Sequence, residues 1–297
     1  MLVETRRMTT TSLPSRLIGS RAVSAIGLGA MPMSIEGRPD EARSIATIHA
    51  ALDAGITVID TADSYHLLAG ETGHNERLIA RALDTYEGDT SAVLVATKGG
   101  HLRPGDGSWT QDGTAEHLIE AAEASRAALD VEAIDLYQFH RPDPRVPFAE
   151  SIGALNHLLN EGVIRMAGLS NVDVDQIEQA MELTQGRIVS VQNQFSPSFR
   201  SSLDELRLCA ELGLAFLPYS PLGGISNAAG LGKTNAAFQR IADDRGVSPQ
   251  QVALAWELSL APVVIPIPGA SRPETIRDSA AAAELQLTEE ELATLAE

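Results

Sequence analysis

The chain has 297 residues, 44% hydrophobic and 21% charged, the composition of a globular protein able to bury a core. No apolar run reaches the ~18 residues that a membrane helix needs, and a formal net charge of −18 disfavours nucleic acid and anionic membrane surfaces as partners. The single cysteine, Cys209, leaves no disulfide framework or cysteine metal site, fits a reducing, cytoplasmic setting, and reads as a small core residue.

Residues 1–16 carry charge and Thr/Ser but lack the apolar segment of a secretory signal. They read as a disordered tail, with Met8 as an internal start, before a single domain over 17–297. Leu17 to Val23 reads as a hairpin around Gly19-Ser20. Ala25 to Met31 is a first apolar strand whose glycines permit close approach of backbone or ligand. A helical pattern runs from Asp40 to Ala54 and stops at Gly55. The β-branched run Thr57-Val58-Ile59 then ends at Asp60, with Tyr65 in the loop beyond.

The same grammar recurs. After a helix from Asn75 to Leu83, the strand Ala92 to Thr97 ends at Lys98. A glycine-rich loop with Trp109 follows, then a helix from a Thr114 cap to Leu129. The strand Ile134 to Phe139 ends at His140. Beyond a proline-rich loop come the helix Phe148 to Asn160, a fifth strand to Leu169, and a helix from Val174 to Leu183. Strand six is Ile188 to Val191, followed by the helix Ser202 to Leu212 and strand seven, Leu214 to Leu217. A loop from Gly223 to Gly232 and two helices, Asn235 to Asp244 and Pro249 to Leu260, precede strand eight at Pro262 to Pro266. Helices from Ser271 to Ala283 and Thr288 to Ala296 close the chain.

Eight strand–helix units without a linker predict an α/β fold, a (β/α)8 TIM barrel with an N-terminal β-hairpin and extra C-terminal helices. A doubly wound sheet is the competitor. It ranks lower because Gly27-Leu28-Gly29 lacks a third glycine and opens no helix.

In a barrel, the carboxyl ends of neighbouring strands share one rim. Asp60, Tyr65, Lys98 and His140 would therefore converge there. Singly, a strand-end lysine is more often solvated and a histidine more often a satisfied core residue. Jointly they form a proton device: Lys98 would lower the Tyr65 pKa, Asp60 would hold Lys98, and His140 would bind the reacting oxygen.

At these residues the sequence resembles the aldo-keto reductase superfamily, over nearly the whole chain. Asp60-Thr61-Ala62-Asp63-Ser64-Tyr65 looks like its D-T-A-x-x-Y signature, and Asp60, Tyr65, Lys98 and His140 match its catalytic tetrad. The resemblance implies NADPH/NADP as cofactor. Ser170, Asn171 and Gln192 would hold the nicotinamide amide, and Tyr219 would stack on the ring. Ser220, Leu222 and Gly223 would pass the pyrophosphate. Gly269, Ser271 and Arg272 would meet the 2′-phosphate, with Ser271 capping the helix and Arg272 supplying the cation. Asp278 and Ser279 stand where many members carry a Glu-Asn pair that reads adenine.

Met31, Met33, His66, Trp109 and Phe195 are the candidate substrate-pocket residues, and no metal is expected. The implied activity is NADPH-dependent reduction of an aldehyde or ketone to an alcohol, with Tyr65 as proton donor. The substrate would be a small carbonyl compound, the chain a monomer or weak homo-oligomer, and the branch near pyridoxal reductase-like bacterial members. Two alternatives stand beside it: an NADPH-binding regulatory module with little turnover, and a barrel acting on phosphorylated metabolites.

Overall fold

The alternation of β-branched runs and amphipathic stretches carries through into the computed structural model, which describes residues 13–296. A hairpin of β1 (Ser15–Ile18) and β2 (Arg21–Ser24) turns at Gly19, whose φ of +57° suits glycine. β3 (Leu28–Gly29), α1 (Glu41–Asp53), β4 (Val58–Asp60), α2 (His74–Asp84) and β5 (Leu94–Gly99) follow. The glycine-rich loop holds a small flap, β6 (His101–Leu102) paired with β7 (Thr110–Gln111).

Then come α3 (Ala115–Ala128), β8 (Ile134–Phe139), α4 (Phe148–Glu161), β9 (Ile164–Ser170), α5 (Val174–Leu183) and β10 (Ile188–Gln192). The last third holds α6 (Leu203–Leu212), β11 (Ala215–Phe216), α7 (Leu231–Thr234), α8 (Ala236–Arg245), α9 (Pro249–Leu260), α10 (Pro273–Ala281) and α11 (Glu289–Ala296).

Seven strands form one parallel sheet in the order β11-β10-β9-β8-β5-β4-β3. The eighth segment, expected as a strand over Pro262–Pro266, makes only isolated bridges, Phe216 with Val264 and Gly29 with Gly269. These bridges join the two outer strands, so the sheet curls into a barrel. The reason is the prolines. Ile265 and Ile267 donate their amides to Phe216 O and Pro218 O, towards β11. Pro266 and Pro268 face β3, where their carbonyls accept from Gly27 and Gly29 but they have no N–H to return. Gly27 and Gly29 are required by space: a Cβ on Gly29 would lie 2.8 Å from Ile267 O.

One apolar cluster fills the barrel. It contains Val58, Leu94, Ala96, Leu136, Leu217 and Ile265, with Ile18 and Val23 of the hairpin among them. The hairpin thus plugs one end. It begins at Ser15, with Pro14 O accepting from Ala25 N and Arg16 donating to Leu258 O at 3.0 Å. The expected tail is shortened to that extent; residues 1–12 lie outside the described residues. A second cluster lies between the strands and the helices and includes Ile48, Ile79, Leu155, Ile177 and Trp256. Cys209 is fully buried within it, as its sequence context suggests.

Candidate active site

Register places the rim. Asp60 pairs with Ala96, and Lys98 lies two residues further along β5 on the same face. Lys98 pairs with Gln138, and His140 again lies two residues on. The three strand ends therefore step around one rim, as the sequence pattern implied.

Lys98 is fully buried, yet all three ammonium protons have acceptors. Nζ lies 2.8 Å from Asp60 Oδ2, 2.7 Å from Thr61 O and 3.3 Å from Tyr65 OH. The other Asp60 oxygen accepts from Gln192 Nε2 at 2.7 Å. The ring of Tyr65 meets that of His140 edge-on, with centroids 5.9 Å apart. His140 in turn meets His101 edge-on at 4.9 Å.

The electrostatics differ from the sequence expectation in one respect. Tyr65 was expected to titrate below its ordinary value beside Lys98. Burial instead pushes its phenol well above it, and the Asp60 charge adds to the rise. The physical reason is that Asp60, 2.8 Å from the lysine, offsets part of its field, and what remains does not make up for the loss of water. The resting side chain is a neutral phenol. Burial also lowers Lys98, against the pull of Asp60. His140 falls well below its ordinary value through burial and then Lys98, so its ring is neutral. Behind Lys98, Asp63 and Glu76 are buried carboxyls, raised chiefly by burial, and Glu76 accepts from Thr97 Oγ1.

Tyr65, Asp60 and His140 open onto a cavity of about 510 Å³. It continues past Ser170, Asn171, Gln192, Tyr219, Ser220 and Leu222 to Gly269. Asn171 is held at φ +58° and is fully engaged. Its Oδ1 accepts from Tyr219 OH at 2.8 Å and Arg141 Nη2 at 2.9 Å; its Nδ2 donates to His140 O and Ser170 Oγ. Ser170 Oγ donates to Gln192 O. Gly224 and Ile225 line the cavity where Gly223 does not. Positive φ at Ser220, Gly223 and Gly224 coils this loop tightly.

Of the five substrate-pocket candidates, Met31 and Trp109 line the cavity. The other three are corrected. Met33 is buried in the helix-side core. His66 is buried, its Nδ1 bonded to Leu68 O and its carbonyl bonded to Arg103. Phe195 is buried and stacks on Trp256 at 6.0 Å. All three lie in or after loops, where side-chain direction has no period to read.

Ser271 does not cap the eighth helix. Arg272 holds the N-cap position, and no side chain caps α10. The Ser271 carbonyl accepts from Arg43 Nε at 3.0 Å, which brings a second arginine to that helix end. Asp278 binds Ser248 Oγ at 2.7 Å and Gln251 Nε2 at 2.6 Å, so it ties α10 to the start of α9. Ser279 is buried. Neither sits free for an adenine.

Sequence reasoning missed Arg141, His101 and Gln111 on the cavity wall. Arg141 had a signal, since it follows His140 directly. His101 and Gln111 depend on the flap, which the sequence concealed as a loop. Among the described residues, no group of three or more His, Cys, Asp or Glu is placed to hold a metal ion, and no helix is long and apolar enough to cross a membrane.

A parallel barrel with a buried Asp–Lys–Tyr cluster and a histidine at its rim defines a known class of oxidoreductase. The Aldo/keto reductase family pattern matches residues 25–297, and the chain belongs to that family. An uncharacterized oxidoreductase of Schizosaccharomyces pombe is 36% identical over 284 residues, spanning 94% of this chain and 88% of that protein. The glycerol dehydrogenase of Gluconobacter oxydans has a similar structure, with a TM-score of 0.81 at 26% identity over 95% of this chain and 94% of that one. An aldo/keto reductase from Klebsiella pneumoniae, solved with NADP and acetate, gives 0.77 at 28% identity over 92% and 90%.

Proposed function

We propose that this protein reduces an aldehyde or ketone to an alcohol with NADPH, using Tyr65 as proton donor. The observation that carries the reading is the contact of Lys98 Nζ with Tyr65 OH at 3.3 Å, beneath an open cavity.

The residues fit the cofactor. Ser170, Asn171 and Gln192 are amide and hydroxyl groups grouped on one wall, suited to a carboxamide. Tyr219 brings an aromatic ring to the same cavity, its hydroxyl bonded to Asn171. The coiled Ser220–Gly224 loop presents small residues and backbone amides to a pyrophosphate. Arg272, three residues past Gly269, holds the N-cap of α10, and Arg43 reaches the same end through the Ser271 carbonyl, where a phosphate is favoured. Asn171 would exchange internal partners for the carboxamide. When bound, the reduced nicotinamide supplies the hydrogen and electron pair taken up by the carbonyl carbon.

The chain's own groups manage the oxygen. The neutral His140 ring and the Tyr65 hydroxyl border the same part of the cavity, so both can hydrogen-bond the carbonyl oxygen. As charge develops there, Tyr65 gives up its proton. The phenolate left behind is the species that Lys98 stabilises. It is disfavoured at rest and favoured only as the proton leaves, which is the differential interaction catalysis needs. Proton return from solvent restores the phenol.

The test is Tyr65→Phe. NADPH oxidation against a panel of carbonyls should fall by about 10²-fold or more, while NADPH binding, titrated by fluorescence, stays near wild type. Retention of most of kcat would remove Tyr65 from the role. Absence of turnover in the wild type with every carbonyl, with NADPH still bound, would favour the regulatory module instead.

A further inference from the structure

We propose that Arg141 makes the cavity selective for carbonyl compounds that also carry a carboxylate. This rests on the reading of the cavity as a carbonyl-reduction site and adds a substrate class to it.

Arg141 has donors left over. Lys98 is the cation nearest the reaction, but it is sealed and committed to Asp60, Thr61 and Tyr65. Among the described residues, Arg141 is the only Lys or Arg lining the cavity. Its Nη2 donates to Asn171 Oδ1 at 2.9 Å. A guanidinium carries five N–H donors, and no carboxylate among the described residues pairs with this one. Among the described residues, the one carboxylate on the cavity wall is Asp60, whose two oxygens are taken by Lys98 and Gln192.

The surroundings strengthen the effect. Met31, Trp109, Leu222 and Ile225 give largely apolar walls, and a charge-assisted contact is stronger where water is excluded. The planar fork matches a carboxylate through two parallel bonds. Because Arg141 follows His140 directly, the anion would be held a short span from the carbonyl under reduction. A protein of net charge −18 repels anions at long range, so recognition of one needs such a local cation.

The experiment compares 4-carboxybenzaldehyde with benzaldehyde, using NADPH and the full chain. The wild type should prefer the carboxylate by about 10-fold or more in kcat/KM, the scale of one charge-assisted contact. The preference should shrink as salt rises. Arg141→Gln should remove most of that ratio, whatever happens to the absolute rates, and Arg141→Lys should keep part of it as a point charge. Benzoate should compete with benzaldehyde in the wild type and compete less in Arg141→Gln. Binding of benzoate to the NADP complex, titrated directly, gives the same comparison without turnover.

Equal kcat/KM for the two aldehydes in the wild type overturns the inference while leaving carbonyl reduction intact. So does an unchanged ratio in Arg141→Gln accompanied by weaker NADPH binding, which would assign the guanidinium to the cofactor. Failure to turn over any carbonyl would instead count against the reductase reading, and benzoate titration would still decide on Arg141.

Discussion

Replacing Lys98 by Met tests the core of the mechanism. The methionine keeps the unbranched stem up to the Cε position and removes the charge 3.3 Å from Tyr65 OH. At an effective dielectric of ~20, a unit charge at about 4 Å is worth on the order of 4 kcal/mol to a forming phenolate. Asp60, 2.8 Å from the same nitrogen, cancels part of this. A net loss of roughly 3 kcal/mol corresponds to about 10²-fold in rate. The assay is single-turnover NADPH oxidation at saturating carbonyl from pH ~5 to ~9, with NADPH affinity measured in parallel. Removal of one partner also leaves Asp60 buried with Gln192 alone, so the melting temperature should fall as well. A melting curve separates the two effects, because the rate loss should persist well below the transition. A drop of less than about tenfold in folded Lys98→Met, at every pH, would refute the view that this lysine stabilises the phenolate.

Two further predictions concern the cofactor and the core. Arg272→Ala should weaken NADPH by about tenfold and NADH hardly at all; equal losses in a titration of both would mean that Arg272 does not read the 2′-phosphate. Glu257 is fully buried in α9 with both carboxyl oxygens unpartnered, and burial holds its pKa well above the ordinary value. The protonated form is the one the fold favours, so its contribution is present below the unfolded value of ~4.3 and is lost as pH rises towards the folded value. Glu257→Gln should therefore raise stability at neutral pH by about 1–3 kcal/mol and flatten the decline of Tm above pH ~5. A lower Tm for Glu257→Gln at pH ~8 would contradict this.

What the sequence disclosed depended on whether a residue's direction is set by a period. Asp60, Lys98 and His140 end regular strands, so alternation and the order of strands were enough to bring them to one rim. The cap of a regular helix was also readable: Thr114 accepts from His117 N. Met33, His66 and Phe195 were misplaced because they follow glycine, proline or polar turns, where no repeat fixes which way a side chain points. Ser271 was misplaced by one residue, since Pro273 at the first turn moves the N-cap to Arg272. The direction of the Tyr65 shift was out of reach for another reason. Desolvation and the opposing Asp60 are properties of the folded interior, and a list of neighbouring charges gives only one side of that balance.

The proline-marked junction between β3 and the last barrel segment has a mechanical consequence. Pro266 and Pro268 can only accept across it, and the bond returned to β3 comes later, from Ala270 N to Gly29 O at 3.4 Å. Contact is nonetheless tight, with Gly27 and Gly29 pressed against Ile267. Such a joint is held by fit as much as by hydrogen bonds, like a clasp. Gly29, Ile267 and Gly269 also line the cavity, so the seam at which the barrel closes is itself part of the cavity wall. An extended ligand lying along it would touch both sides of the seam.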